Sequence, residues 1–366
     1  MTKRERYLKV LQKEKADALS WVPNFDHWLN VNMANHTVPI EYRGMTRNDI
    51  VRAVDATIWS RVSMLHEVHP NVEIEREEVA GEYLRTTYKT PVGSVQTLNQ
   101  FAKDSTRALF LTEHMIKTVK DIKVVQFIVE DTQYSMDIQP FLQSEREVGE
   151  DGVSLVNLPI CFPYIQFGKT DAGWERGIYL WYDHQGEVES LMEAYRIKAE
   201  EAACLLAKSP AQIISCGDNM DEWTTPPNIF KRYALDFYQR IANILHKEGK
   251  IFQVHWCGRT GHLLPFVSQC GIDVVEAVTV QPMDKLTIPK ALELAGDQVV
   301  IQGGIPSIMM CPQGGSKKQL EEYLTALVRQ VPLGYRFVLG MSDNVPPDAD
   351  FSRVKMISDI VNSLKN

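Results

Sequence analysis

Short, uniformly apolar runs recur along the later part of the chain, at residues 124–129, 155–160, 212–216, 251–255, 274–278, 298–302 and 336–339. Runs of this length without alternation suit strands buried on both faces, as in a parallel sheet. Between most of them lie stretches with apolar residues at helical spacing. The clearest covers 228–247. There Ile229, Tyr233, Phe237, Ile241, Ile244 and Leu245 share a face, Pro226-Pro227 introduce the helix and Gly249 closes it. Strands and helices alternating in this way predict a parallel sheet wrapped in helices.

The earlier part reads differently. Residues 2–16 form an amphipathic helix through Tyr7, Leu8, Val10 and Leu11, and Ser20-Trp21-Val22-Pro23 form a short first strand. Residues 24–46 lack periodicity and read as irregular, whereas 47–64 place Ile50, Val51, Val54, Ile58 and Val62 on one helical side. From 71 to 102 polar and apolar positions alternate between Gly-containing turns, which predicts an inserted antiparallel meander. The strand near Trp21 and the seven later runs make eight, the number of a closed (β/α)8 TIM barrel, with the chain 1–366 as one domain. An open doubly wound sheet is the alternative, but no Gly-x-Gly-x-x-Gly turn follows an early strand.

Composition narrows the function classes. A formal net charge of −8 speaks against a broad nucleic-acid surface, which concentrates Lys and Arg. No run approaches the roughly 18 apolar residues of a membrane span, and the charged start Met1-Thr2-Lys3-Arg4-Glu5-Arg6 leads into no apolar signal core. The six cysteines, at 161, 204, 216, 257, 270 and 311, are scattered rather than framed as disulfides. The expectation is a cytoplasmic protein whose cysteines are free thiols or metal ligands.

Candidate chemistry gathers where strands end. The run 212–216 leads into Gly217-Asp218-Asn219-Met220-Asp221-Glu222-Trp223, and 251–254 into His255-Trp256-Cys257-Gly258. Glu276 follows Val274-Val275, and Asp343 follows the last run. In a barrel these ends share one rim. Strand alternation puts His255 and Cys257 on the same side and turns Trp256 away. An imidazole and a thiol so placed can form half of a zinc site; the ordinary alternative is a hydrogen-bonded core histidine beside a structural thiol. For Asp218, Glu222, Glu276 and Asp343 the ordinary roles are helix capping and contact with water. Trp28, Tyr164, Trp181 and Trp223 could line a substrate pocket or serve as core and rim packing.

An ordered set of short motifs resembles the uroporphyrinogen decarboxylase superfamily. It runs Gly217-Asp218-Asn219, Pro226-Pro227 with its helix, Val254-His255-Trp256-Cys257-Gly258, Gly271-Ile272-Asp273, Gln302-Gly303-Gly304-Ile305-Pro306 and Val345-Pro346-Pro347-Asp348. Arg4-Glu5-Arg6, Ala16-Asp17 and Val22-Pro23 are similar to the superfamily's start. The tetrapyrrole decarboxylases carry an Arg-Gln-Ala-Gly-Arg signature that binds substrate carboxylates. Here that region reads Asn24-Phe25-Asp26-His27-Trp28-Leu29. The chain is more similar to the branch of zinc methyltransferases that exchange a methyl group with a corrinoid protein. That resemblance implies His255, Cys257 and Glu276 as zinc ligands, and Asp343 stands near the place of a family cysteine. A carboxylate in place of a thiolate makes a harder, more Lewis-acidic centre, suited to charge developing on oxygen.

The activity so implied is O-demethylation. The cob(I)alamin of a partner corrinoid protein would take the methyl group of a small, methoxylated aromatic substrate. Asp218 and Glu222 are the candidates to protonate or orient the oxygen. Methyl transfer from the corrinoid to a thiol or pterin is the alternative, and decarboxylation a second one. A homodimer is left open.

Overall fold

The computed structural model describes residues 1–103 and 106–364. Strands β1 (Trp21–Val22) and β2 (Ile58–Val62) come first. An excursion follows with β3 (Leu65–Val68), β4 (Glu73–Val79), β5 (Tyr83–Thr90), β6 (Gly93–Phe101), β7 (Leu109–Glu113) and β8 (Gln133–Met136). The chain then alternates strand and helix through β9 (Gly152–Asn157), β10 (Ile213–Cys216), β11 (Ile251–His255), β12 (Val274–Val278), β13 (Val300–Ile305) and β14 (Phe337–Met341). Eight parallel strands form one sheet in the order β1-β14-β13-β12-β11-β10-β9-β2. With helices around it, this is the expected (β/α)8 TIM barrel. The ends of the order, β1 and β2, share no ladder; the Thr57 amide donates to the Trp21 carbonyl at 2.9 Å across that seam.

The barrel's membership corrects the sequence reading in two places. The run 124–129 is not a strand but part of the helix Val119–Asp131. Its N-terminus is capped by Asp121, whose carboxylate accepts from the Thr118 and Lys117 amides at 2.8 and 2.9 Å. Ile122, Val125, Ile128 and Val129 then form one buried face. The missing strand is β2, inside the segment expected to be a helix over 47–64. The helix there is only Arg47–Ala53, and Asp55 breaks it at φ 54°. Thr57, Ile58 and Trp59 then favour a strand. Ile58 and Val62 misled because a spacing of four is even and so fits one face of a strand as well as of a helix.

Smaller differences follow the same logic. Within the stretch read as irregular, Asp26–Ala34 is a helix that buries Trp28, Leu29 and Asn32. Trp28 stacks on Phe351 with centroids 4.0 Å apart. The meander is a four-stranded antiparallel sheet, β4-β5-β6-β7, which extends past residue 102 to Glu113. The first helix is Lys3–Leu11, shorter than 2–16. Cys311 is buried, although Pro312 and Gln313 after it are exposed.

That first helix closes the bottom of the barrel. Tyr7, Val10 and Leu11 pack with the inward residues Val22, Trp59, Leu155, Val274 and Val338. Each such apolar side chain gains about 1.5–3 kcal/mol on burial. The Tyr7 hydroxyl donates to Gln302 Oε1 at 2.8 Å inside the barrel. The bottom is therefore filled, and the carboxyl ends of the strands are left to form the open mouth. No helix among the described residues is long and apolar enough to cross a membrane.

Candidate metal centre

His255 is the last residue of β11 and stands in register with Glu276 of β12. Its Nδ1 lies 2.5 Å from Glu276 Oε2, and its Nε2 lies 3.7 Å from Asp343 Oδ1. Cys257 follows on the same side, and its thiol donates to Asn219 Oδ1 at 3.3 Å. Ligand-capable atoms of His255, Cys257 and Asp343 all lie within 4.8 Å of one another. Asp343, in the loop after β14, is held from two sides: Nδ2 of Asn24, which follows β1, donates to its carbonyl at 2.8 Å, and Nδ2 of its neighbour Asn344 donates to its Oδ2 at 2.9 Å.

Glu276 is aimed by a local break in its strand. Ala277 adopts φ 65°, and the β12–β13 register shifts between Val275 and Val278. Gly303 makes this possible, because a Cβ there would stand 2.7 Å from the Val278 carbonyl oxygen. A positive φ at alanine costs energy and persists only where the surroundings enforce it. Burial opposes charge on His255. The Glu276 carboxylate, with hydrogen bonds to Cys257 and Glu276, outweighs it and holds the imidazole pKa well above its ordinary range.

The expected site residues separate into two groups. His255, Cys257, Glu276 and Asp343 come together, with Glu276 on the far ring nitrogen and outside the three-residue cluster. Asp218 and Glu222 do not join them. Asp218 is fully buried and accepts from the Phe162 amide at 2.7 Å, the Tyr238 hydroxyl at 2.8 Å and the Cys216 thiol at 3.1 Å. Burial pushes its carboxyl pKa up. Glu222 ties the loops after β10 and β11 together by accepting from the His262 amide at 2.9 Å.

The aromatic candidates lie elsewhere. Trp28 is in the core. Tyr164 stacks on Tyr233, and Trp181 donates its indole N–H to the Tyr233 hydroxyl at 3.1 Å. Trp223 is exposed, with the Arg259 guanidinium 3.5 Å over its ring.

The cavity beside the cluster, about 320 Å³, is polar. Asn24, His27, Arg61, Asn157, Ser215, Asn219 and Asn344 line it together with Trp59, His255, Glu276 and Asp343. Most of these were not singled out from the sequence. Arg61 was hidden by the misread helix. Asn24 and Asn157 follow or end barrel strands, so the strand-end rule that found His255 would have found them once β1 and β9 were placed to the residue.

Comparison with known proteins agrees with this architecture. The uroporphyrinogen decarboxylase (URO-D) family profile matches residues 160–364. Uroporphyrinogen decarboxylases from two strains of Tropheryma whipplei, Twist and TW08/27, are 27% identical over 112 residues. That match spans 30% of this chain and only 27% of each relative's length. A methyltransferase structure from Methanosarcina mazei superposes over 100% of both chains, with a TM-score of 0.63 and 13% identity. At that identity the likeness establishes the fold. The barrel order, the strand-end cluster and a family match over more than half of the 366 residues lead to one statement: the chain belongs to the uroporphyrinogen decarboxylase (URO-D) family.

Proposed function

We propose that the barrel mouth is a zinc-dependent methyl-transfer centre that works with a corrinoid protein and takes its methyl group from a small methoxylated compound. The convergence of His255, Cys257 and Asp343 at the strand ends carries this reading. The residues fit zinc by their chemistry: nitrogen, sulfur and carboxylate oxygen are its usual donors, and His255, Cys257 and Asp343 bring one of each within 4.8 Å of one another. Three protein donors would leave room for a further ligand, as catalytic zinc sites do. The full-length likeness to the Methanosarcina mazei methyltransferase adds support.

Each residue has a definite task. His255 offers Nε2 because Glu276 accepts at Nδ1, which fixes the ring's tautomer and orientation. Cys257 would offer its sulfur, and Asp343 the harder third donor. Held by His255, Cys257 and Asp343, zinc would supply Lewis acidity to the oxygen from which the methyl group leaves. The polar residues of the mouth hold the substrate, and the open rim admits the corrinoid partner.

Elemental analysis tests the metal, with close to one zinc per chain expected and a loss in His255→Ala and Cys257→Ala. A cobalamin absorbance assay with a corrinoid protein and methyl ethers tests the transfer. A chain that takes up no zinc, or variants that keep full activity, would rule the reading out. Carbon dioxide release without corrinoid would identify a decarboxylase instead.

A further inference from the structure

We propose that Arg61 makes the far wall of the mouth an anion-binding subsite, so that the molecule bound there is a small methylated carboxylate. Round the barrel, β2 is three strands from β11 in one direction, through β9 and β10, and five in the other. Arg61 and His255 therefore line the same cavity from nearly opposite walls.

The charge at Arg61 is not cancelled within its own ion-pair group; the cavity's two other carboxylates, Glu276 and Asp343, lie beside His255. Asp26 is shared between two arginines: Oδ1 accepts from Arg47 Nε at 2.5 Å and Oδ2 from Arg61 Nη2 at 3.3 Å. Two guanidinium groups on one carboxylate leave one net positive charge. Arg61 also reaches Asn24 Oδ1 at 3.4 Å, again through Nη2. Its Nε and Nη1 donors have no partner among the described residues. The guanidinium carbon lies 5.1 Å over the Trp59 ring, which restrains the group in the cavity wall. Asn157 and Ser215, from the intervening strands, line the space between Arg61 and His255.

Free guanidinium donors with an excess charge, in a wall rich in amides, recognise a carboxylate. A cavity of about 320 Å³ has room for about ten water-sized groups. That accommodates a carboxylate, a short spacer and a methylated heteroatom directed at His255. The inference rests on the methyl-transfer reading for the methylated end; the anion preference follows from Arg61 whatever happens at His255.

The test uses the full-length protein and two probes of matched shape, methoxyacetate and neutral methoxyacetamide, with binding followed by ligand-observed NMR. Methoxyacetate is expected to bind at least about tenfold more tightly, the value of a charge-assisted hydrogen bond. Arg61→Gln should abolish the difference, and Arg61→Lys should keep part of it. Equal binding of the two probes, no saturable binding of either, or an unchanged preference in Arg61→Gln overturns the inference. Arg61→Gln leaves Asp26 paired with Arg47, circular dichroism checks its fold, and the wild-type comparison needs no variant. Zinc is measured in the same samples. A zinc-free chain with an Arg61-dependent preference defeats the metal reading and keeps the anion subsite; a zinc-loaded chain without the preference does the reverse.

Discussion

Glu276 meets His255 on Nδ1, while Asp343 and Cys257 lie towards Nε2 and the open side. Substitutions at these positions should therefore differ in kind. Glu276→Gln keeps an acceptor oxygen for the ring and removes only the charge. It is expected to retain stoichiometric zinc with affinity lower by about 10–100-fold, as competition with a chromophoric chelator would measure. Asp343→Asn removes a donor and should lower the affinity further. If Glu276→Gln loses zinc outright while Asp343→Asn does not, Glu276 is the ligand. The sequence made His255 and Cys257 legible because strand alternation and spacing are local properties. Which nitrogen of His255 faces which carboxylate depends on the break at Ala277, and no residue pattern announces a positive φ at alanine.

Among the elements, the helical turn Gln166–Asp171 buries a carboxylate that the site does not use. Asp171 accepts from the Tyr195 hydroxyl at 2.9 Å and from Gln166 Nε2 at 3.1 Å, and no cation pairs with it among the described residues. Burial pushes its pKa up to about 7, against hydrogen bonds from Tyr195 and Gln166 that lower it. The unfolded carboxyl titrates near roughly pH 4, so between there and pH 7 unfolding releases a proton. Stability from this group is fully present below roughly pH 4 and declines as pH rises, by up to about 1.4 kcal/mol per pH unit. Asp171→Asn should flatten that decline and leave the protein more stable than its parent above pH 7, as urea unfolding at several pH values would show. An unchanged pH profile would mean the carboxyl titrates elsewhere. The elements themselves were legible where one period dominated, as in β10 to β14. They were misread where a spacing of four served both periods, at Ile58 and Val62, and where a capped helix carried a dense apolar run, at Val124 to Val129.

At the scale of the molecule, a barrel filled from below and open above explains why the polar groups collect at one end. Tyr7 seals the bottom through Gln302, so Tyr7→Phe leaves a buried amide oxygen without its donor. A loss of about 1–3 kcal/mol in chemical denaturation is expected, with zinc content unchanged. The barrel count was legible from the sequence although one of its strands was assigned to the wrong segment, because eight apolar runs arise from either choice. The mouth was less legible, since its walls come from residues as far apart as Asn24 and Asn344. The seam between β1 and β2 runs directly beneath two of them: Asn24 follows β1 and Arg61 lies in β2. A guest held by both would act as a clasp that reinforces the Thr57–Trp21 and Arg61–Asn24 hydrogen bonds across this seam. Deuterium uptake at the Thr57 amide should accordingly slow when the mouth is filled, so that the join without a ladder becomes a reporter of occupancy.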